Sequence, residues 1–150
     1  SAAVGRGGSG AMLFEGQYGS NAYVFTVKVP EGFSAEGKTK INFWIKGTAV
    51  KSLSMNVYIN HVEKPQMGVD YKCYNMDEHV PYNSHKVLAP TDANSYAKGG
   101  INTNGEWIQV SLDISTIVSQ INSTSGQDLF ALKVGKDAAY DLMIDDITIE

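Results

Sequence analysis

The stretch KTKINFWIKGTA, residues 38–49, decides the fold. Taken with a period of two, Ile41, Phe43 and Ile45 fall on one side, and Lys40, Asn42, Trp44 and Lys46 on the other. This is the signature of a strand with one face in a core and the other toward water. The apolar side is ordinary. The polar side carries a tryptophan between an asparagine and a lysine, where a large ring needs a reason.

The same alternation recurs along the chain. Tyr23, Phe25, Val27 and Val29 share a side, as do Leu53, Met55, Val57 and Ile59, and as do Ile108, Val110, Leu112 and Ile114. Runs rich in β-branched and aromatic residues stand at AMLFEG, NAYVFTVKVP, KTKINFWIKG, SLSMNVYIN, VDYKCYN, GEWIQVSLDI, DLFALKVG and YDLMIDDITIE, separated by Gly, Pro, Asn, Asp and Ser. A lone sheet of such strands leaves its apolar side wet, so two sheets must face each other across one core. The expected fold is all-β: a two-sheet antiparallel β-sandwich of jelly-roll type with about eight to ten strands. Helical spacing is confined to SLDISTIVSQINS, residues 111–123, where Ile114, Ile117, Val118 and Ile121 suit a short helix or turn. Between Asn75 and Glu106 the chain is mostly polar and holds two prolines, a long connection of the kind that often carries function.

Composition narrows the function. A chain of 150 residues suits one domain, here residues 1–150, with a sizeable core. With 43% hydrophobic and 19% charged residues it reads as an ordinary globular protein. No run approaches the roughly 18 apolar residues of a spanning helix, so membrane insertion is not expected. A net charge of −4 offers no footprint for a phosphate backbone, which argues against nucleic acid as a partner. Cys73 is the single cysteine and cannot form an internal disulfide; a buried thiol is the simpler reading. The opening SAAVGRGGSG shows no signal peptide and reads as the start of a mature or excised segment, which leaves export open.

Sugars present flat patches of C–H with hydroxyls at the rim, so a protein that holds them offers an aromatic plane edged by amides or charges. Trp44 with Asn42 and Lys46 supplies that mixture on one strand side. Tyr58 with Asn56 repeats it on the next strand, and Tyr82 and Tyr96 add rings from the long connection. Trp44 and Tyr58 form one platform only if their strands share a sheet, and successive jelly-roll strands commonly alternate between sheets. The competing explanation for Trp44 is packing beneath a loop or a neighbouring side chain. Tyr18, Tyr74 and His79 are further loop or loop-flanking candidates.

An enzyme needs a constellation. His61 with Glu63, and Asp77, Glu78 and His79, allow a metal site or an acid–base pair, but the spacing is unspecific; His85 is a third histidine in a polar stretch. No nucleophile elbow, zinc-protease helix, phosphate loop or dinucleotide fingerprint occurs. A paired-carboxylate hydrolase depends on a separation that only the fold sets.

The order of segments, a glycine-rich start leading into a strand, then INFWIKG, GEWIQVSLDIS, LFALKVG and YDLMIDDITIE, resembles the galactose-binding-like jelly roll of carbohydrate-binding modules from secreted bacterial glycan-degrading proteins. The most specific parts are Gly-x-Trp-x-x-Val-x-Leu-Asp at Gly105 to Asp113 and Ile-Asp-Asp-Ile-Thr at residues 144–148. Both mark a scaffold that also serves adhesins and accessory domains. Family members usually open with a further strand before the glycine-rich segment, which this sequence does not show.

The resemblance implies a non-catalytic carbohydrate-binding module that binds polysaccharide or oligosaccharide. It implies a secreted or cell-surface bacterial setting, in which the module is monomeric as a domain and part of a larger multidomain protein. It assigns Trp107 to the scaffold. It also implies a structural calcium held by carboxylates near the first and last strands, here Glu15 and Asp145, since hard oxygen donors suit that ion. The alternative for Asp145 is to satisfy backbone N–H groups at a bulge, where Asp145 and Asp146 interrupt the period. A structural or adhesive sandwich contacting protein is the second expected function, and a small glycan hydrolase the third. A shallow sugar site implies affinities of about −8 to −4 kcal/mol.

Overall fold

Alternating β-branched and aromatic residues favour extended backbone because one face can be buried while the other stays wet. The computed structural model describes residues 2–20, 22–49, 56–60, 71–75, 84–87, 101–115, 118–134 and 139–150. Among these the strands are β1 (Ala2–Val4), β2 (Gly10–Gln17), β3 (Ala22–Lys28), β4 (Lys40–Ala49), β5 (Asn56–Asn60), β6 (Tyr71–Asn75), β7 (Ser84–Val87), β8 (Ile101–Asn102), β9 (Ile108–Asp113), β10 (Asp128–Val134) and β11 (Ala139–Ile149). Every run picked out in the sequence contains a strand among the described residues; β1, β7 and β8 are short additions. Within the helix-like spacing of residues 111–123, the described residues form the end of β9 and a 3-10 turn at Val118–Gln120.

The first sheet runs β1-β2-β11-β4, with β8 and β9 lying along the far side of β4. The second runs β3-β10-β5-β6-β7. Among the described strands all pairs are antiparallel except β6 with β7. Phe14, Ile41, Phe43, Ile45, Val110, Leu142 and Ile144 of the first sheet meet Phe130, Leu132 and Val134 of the second in one buried cluster. The all-β sandwich is therefore present as expected. Ile41, Phe43 and Ile45 have no exposed surface, and each such side chain contributes roughly 1.5–3 kcal/mol relative to leaving it in water. Phe25 meets Phe130 edge to face at 6.3 Å, fastening β3 to the core.

One irregularity positions the site. β4 pairs with β9 as far as Ile45↔Ile108 and with β8 from Thr48↔Asn102, so the intervening chain bulges out between the two short strands. Gly47 occupies the break at φ 123°, and a side chain there would run into the Asp141 carbonyl. Its N–H donates to Thr103 Oγ1 at 2.9 Å, and its carbonyl accepts the Thr103 N–H at 3.0 Å. A turn through Asn104 (φ 54°) and Gly105 (φ 77°) then delivers Trp107 to the start of β9.

Candidate functional site

The register of β4 with its neighbours sets Gln109, Trp44 and Asp145 side by side across the outer face of the first sheet. The next row holds Ser111, Asn42 and Thr148. Trp107 directly precedes β9, and the Lys46 ammonium nitrogen lies 6.0 Å from its indole centroid. That distance is at the limit of a cation–π contact. Trp44, Trp107 and Lys46 are each half-buried. Trp107, a scaffold residue by resemblance, thus shares a surface with Trp44.

The glycine-rich start reaches this surface through Asp145, which is 8% exposed. Asp145 Oδ2 accepts the Arg6 N–H at 2.8 Å and the Ser9 hydroxyl at 2.9 Å, while Oδ1 accepts the Asp146 N–H at 2.8 Å. Asp146 adopts a left-handed φ of 50°, and the β4–β11 ladder slips between Asp145 and Thr148. This is a β-bulge that turns a carboxylate toward backbone donors. Gly5 lets the turn come close, because a Cβ there would strike the Asp145 carboxylate and the Ser9 hydroxyl.

Asp145 pairs with Trp44 across the strands, so docking the turn at Asp145 carries Arg6 above the indole. The guanidinium carbon stands 4.1 Å from the ring centroid. Arg6 Nε and Nη2 donate to Asp146 Oδ2 at 3.2 and 3.0 Å, which fixes the side chain in that pose. Burial pushes the Asp145 carboxyl up, but the Ser9 hydroxyl, the Arg6 and Asp146 N–H groups and the Arg6 charge outweigh it and hold the group below the usual carboxylate range. Asp145 is therefore an anion at neutral pH, as an acceptor of three hydrogen bonds should be.

The other sequence candidates are scattered. Asn42 is 6% exposed. Its Nδ2 donates to Glu150 Oε1 and its Oδ1 accepts the Ser111 hydroxyl, both at 2.6 Å, so the amide is a strut between strands. Trp44 lies in the first sheet and β5, with Asn56 and Tyr58, in the second, so the platform uniting Trp44 and Tyr58 does not form. Tyr82 and Tyr96 lie outside the described residues, as do His61, Glu63, Asp77, Glu78 and His79. Tyr18 is half-buried against Tyr140, edge to face at 5.7 Å, which is a packing role.

Glu15 is exposed and pairs with Asp141. It therefore lies four positions along the β2–β11 pair from Asp145, or about 13 Å at the strand rise. Among the described residues no three His, Cys, Asp or Glu side chains group to hold a metal. With both Asp145 oxygens already facing hydrogen donors, Glu15 and Asp145 do not fit a shared calcium. Asp145 is instead the bulge residue that the broken alternation implied. Arg6 was not singled out from the sequence, since nothing local to the glycine-rich start points to a ring so distant in the chain.

No known family model matches the chain, and no curated protein matches it. Among solved structures it is similar to the K1 cleaved adhesin domain of Lys-gingipain from Porphyromonas gingivalis W83. The likeness has 12% sequence identity and a TM-score of 0.40, covering 98% of this chain and 77% of that one. Function must therefore be read from the site's geometry. No helix among the described residues is long and apolar enough to cross a membrane.

Proposed function

We propose that this domain is a non-catalytic binding module that contacts protein through the outer face of its first sheet, within a larger extracellular bacterial protein. The bacterial and extracellular setting follows the family resemblance. The contact surface rests on one observation, the Arg6 guanidinium stacked on Trp44. A pyranose needs a free face of the indole, and here Arg6 covers one face.

To admit a sugar on that face, Arg6 must leave, forfeiting roughly 0.5–1 kcal/mol of cation–π attraction and up to about 1 kcal/mol of exposed ion pair. That is a large share of the roughly 4 kcal/mol that binds a millimolar ligand. With Arg6 in place, the surface offers a guanidinium edge, two half-buried rings and Lys46. Trp and Arg are the residues that dominate protein–protein contacts, where a large ring is already partly desolvated and a planar cation can pair with a carboxylate.

Polysaccharide binding, the second function, is favoured by Trp107. Its ring lies 6.0 Å from the Lys46 ammonium, and Gln109 and Ser111 stand exposed on the same face. Labelled chain applied to a protein microarray and a glycan array separates the two. Protein contact predicts saturable protein signals weakened by both Trp44→Ala and Arg6→Glu, with no glycan signal. Glycan binding abolished by Trp44→Ala overturns the proposal, whereas glycan binding lost only in Trp107→Ala transfers the function to the second.

A further inference from the structure

The two sheets do not close evenly. On the side where β2 faces β3, Met12, Phe25, Val27, Phe33 and Ile147 are only partly buried, although they pack on the core. They line an open cleft of about 510 Å3. Behind them Phe130 and Ile144 are each 2% exposed, so the interior is finished and its flank is not. The charged side chains among the described lining are Asp145 and Asp146, both acidic. Asp146 keeps 40% of its side-chain surface exposed even with Arg6 bonded to it. Val4, 77% exposed, pairs with Gly10, which lines the cleft.

The second sheet ends at the same flank. Among the described residues β3 pairs with β10 alone. Within those residues its other edge carries backbone donors and acceptors that a further strand can meet. Phe25 and Val27 turn toward the cleft, while Thr26 and Lys28 are exposed. A strand laid beside β3 continues that period, sending every second side chain inward beside Phe25 and Val27.

We infer that this flank receives an extended segment of another polypeptide, added as a strand to β3, with alternate apolar side chains in the cleft and a lysine or arginine against Asp146. The backbone edge selects a polypeptide over a lipid or other apolar small molecule. The acidic lining selects a basic residue beside the apolar ones. Asp145 and the Arg6–Asp146 pair border both; otherwise this site lies apart from the outer face of the first sheet and stands or falls without it.

The test is selection of random linear peptides of about ten residues, displayed on phage, against the whole chain, followed by synthesis of the most enriched sequence. The expected sequences alternate apolar residues and carry a lysine or arginine. Binding should protect amides of residues 22–28 from hydrogen exchange. Val27→Lys should weaken it about ten-fold or more and Asp146→Asn by a smaller factor, both at unchanged circular dichroism. If Val27→Lys does not fold, Asp146→Asn together with the exchange pattern decides. Enriched peptides without alternation, protection elsewhere than β3, or affinity indifferent to Asp146→Asn overturn the inference. So does a concentration-dependent dimer that protects β3 without peptide, which makes the occupant a second copy. An apolar dye bound in the cleft that no peptide displaces overturns it as well.

Discussion

Asp145 accepts the backbone N–H of Arg6 at 2.8 Å, and through that bond the opening turn of the chain is held over its last strand. The same bond sets Arg6 on Trp44, because Asp145 and Trp44 are cross-strand partners. A carboxylate at a bulge, a glycine that permits close approach and the β4–β11 register together decide what the outer surface presents.

Removing the cation should expose the ring at little cost to folding. Arg6→Ala is expected to lower stability by about 0.5–1.5 kcal/mol, from the cation–π contact and the exposed ion pair together. Tryptophan emission should shift to the red as the indole meets water. Urea melts read the first and fluorescence the second. An unshifted spectrum would place the guanidinium away from the ring.

Asp145 should make folding sensitive to acid. Its carboxyl is held below the ordinary range in the folded state, so its contribution is fully present above the ordinary carboxylate pKa. That contribution is lost as pH falls through the folded value. Asp145→Asn is expected to cost about 1.5–3 kcal/mol at neutral pH, the scale of hydrogen bonds to a charged acceptor. It should also flatten stability between about pH 5 and pH 2 relative to the parent. Chemical melts across that interval check both; a variant as acid-sensitive as the parent would assign the effect to other groups.

Two glycines should resist replacement for different reasons. At Gly47 both the backbone angle and the Asp141 carbonyl forbid a side chain, so Gly47→Ala is expected to lose about 2 kcal/mol or more. Gly5 has an ordinary φ of −83°, and there only the collision with Asp145 and Ser9 matters. Gly5→Ala should lose about 1–3 kcal/mol as an overpacked contact. Part of that loss should vanish in an Asp145→Ala background, which a double-mutant cycle measures.

What the sequence disclosed follows from what period two can encode. Alternation reports that a strand has an inside, so β4, β9 and β11 were legible, with Ile41, Phe43, Val110 and Leu142 buried as their parity requires. The interruption at Asp145 and Asp146 also announced a bulge. Parity does not report which sheet a strand joins, so the separation of Trp44 from Tyr58 came only with the topology. Asn42 sits at a polar position yet is buried, because Ser111 of β9 and Glu150, just past β11, close over it. Arg6 was invisible for the same reason: its place depends on bonds to Asp145 and Asp146 at the opposite end of the chain. Three-residue β1 and two-residue β8 are too short to show a period at all.

The chain holds only two tryptophans, so its indole N–H groups give two resolvable NMR signals, assigned by Trp44→Phe. Titrating labelled chain with soluble plant and host oligosaccharides, up to millimolar concentration, asks directly whether the outer face is open to sugar. With Arg6 stacked on Trp44 and the face serving protein contact, neither signal should move. A saturable shift of the Trp44 signal would contradict that account at its centre, and one confined to Trp107 would hand the surface to polysaccharide.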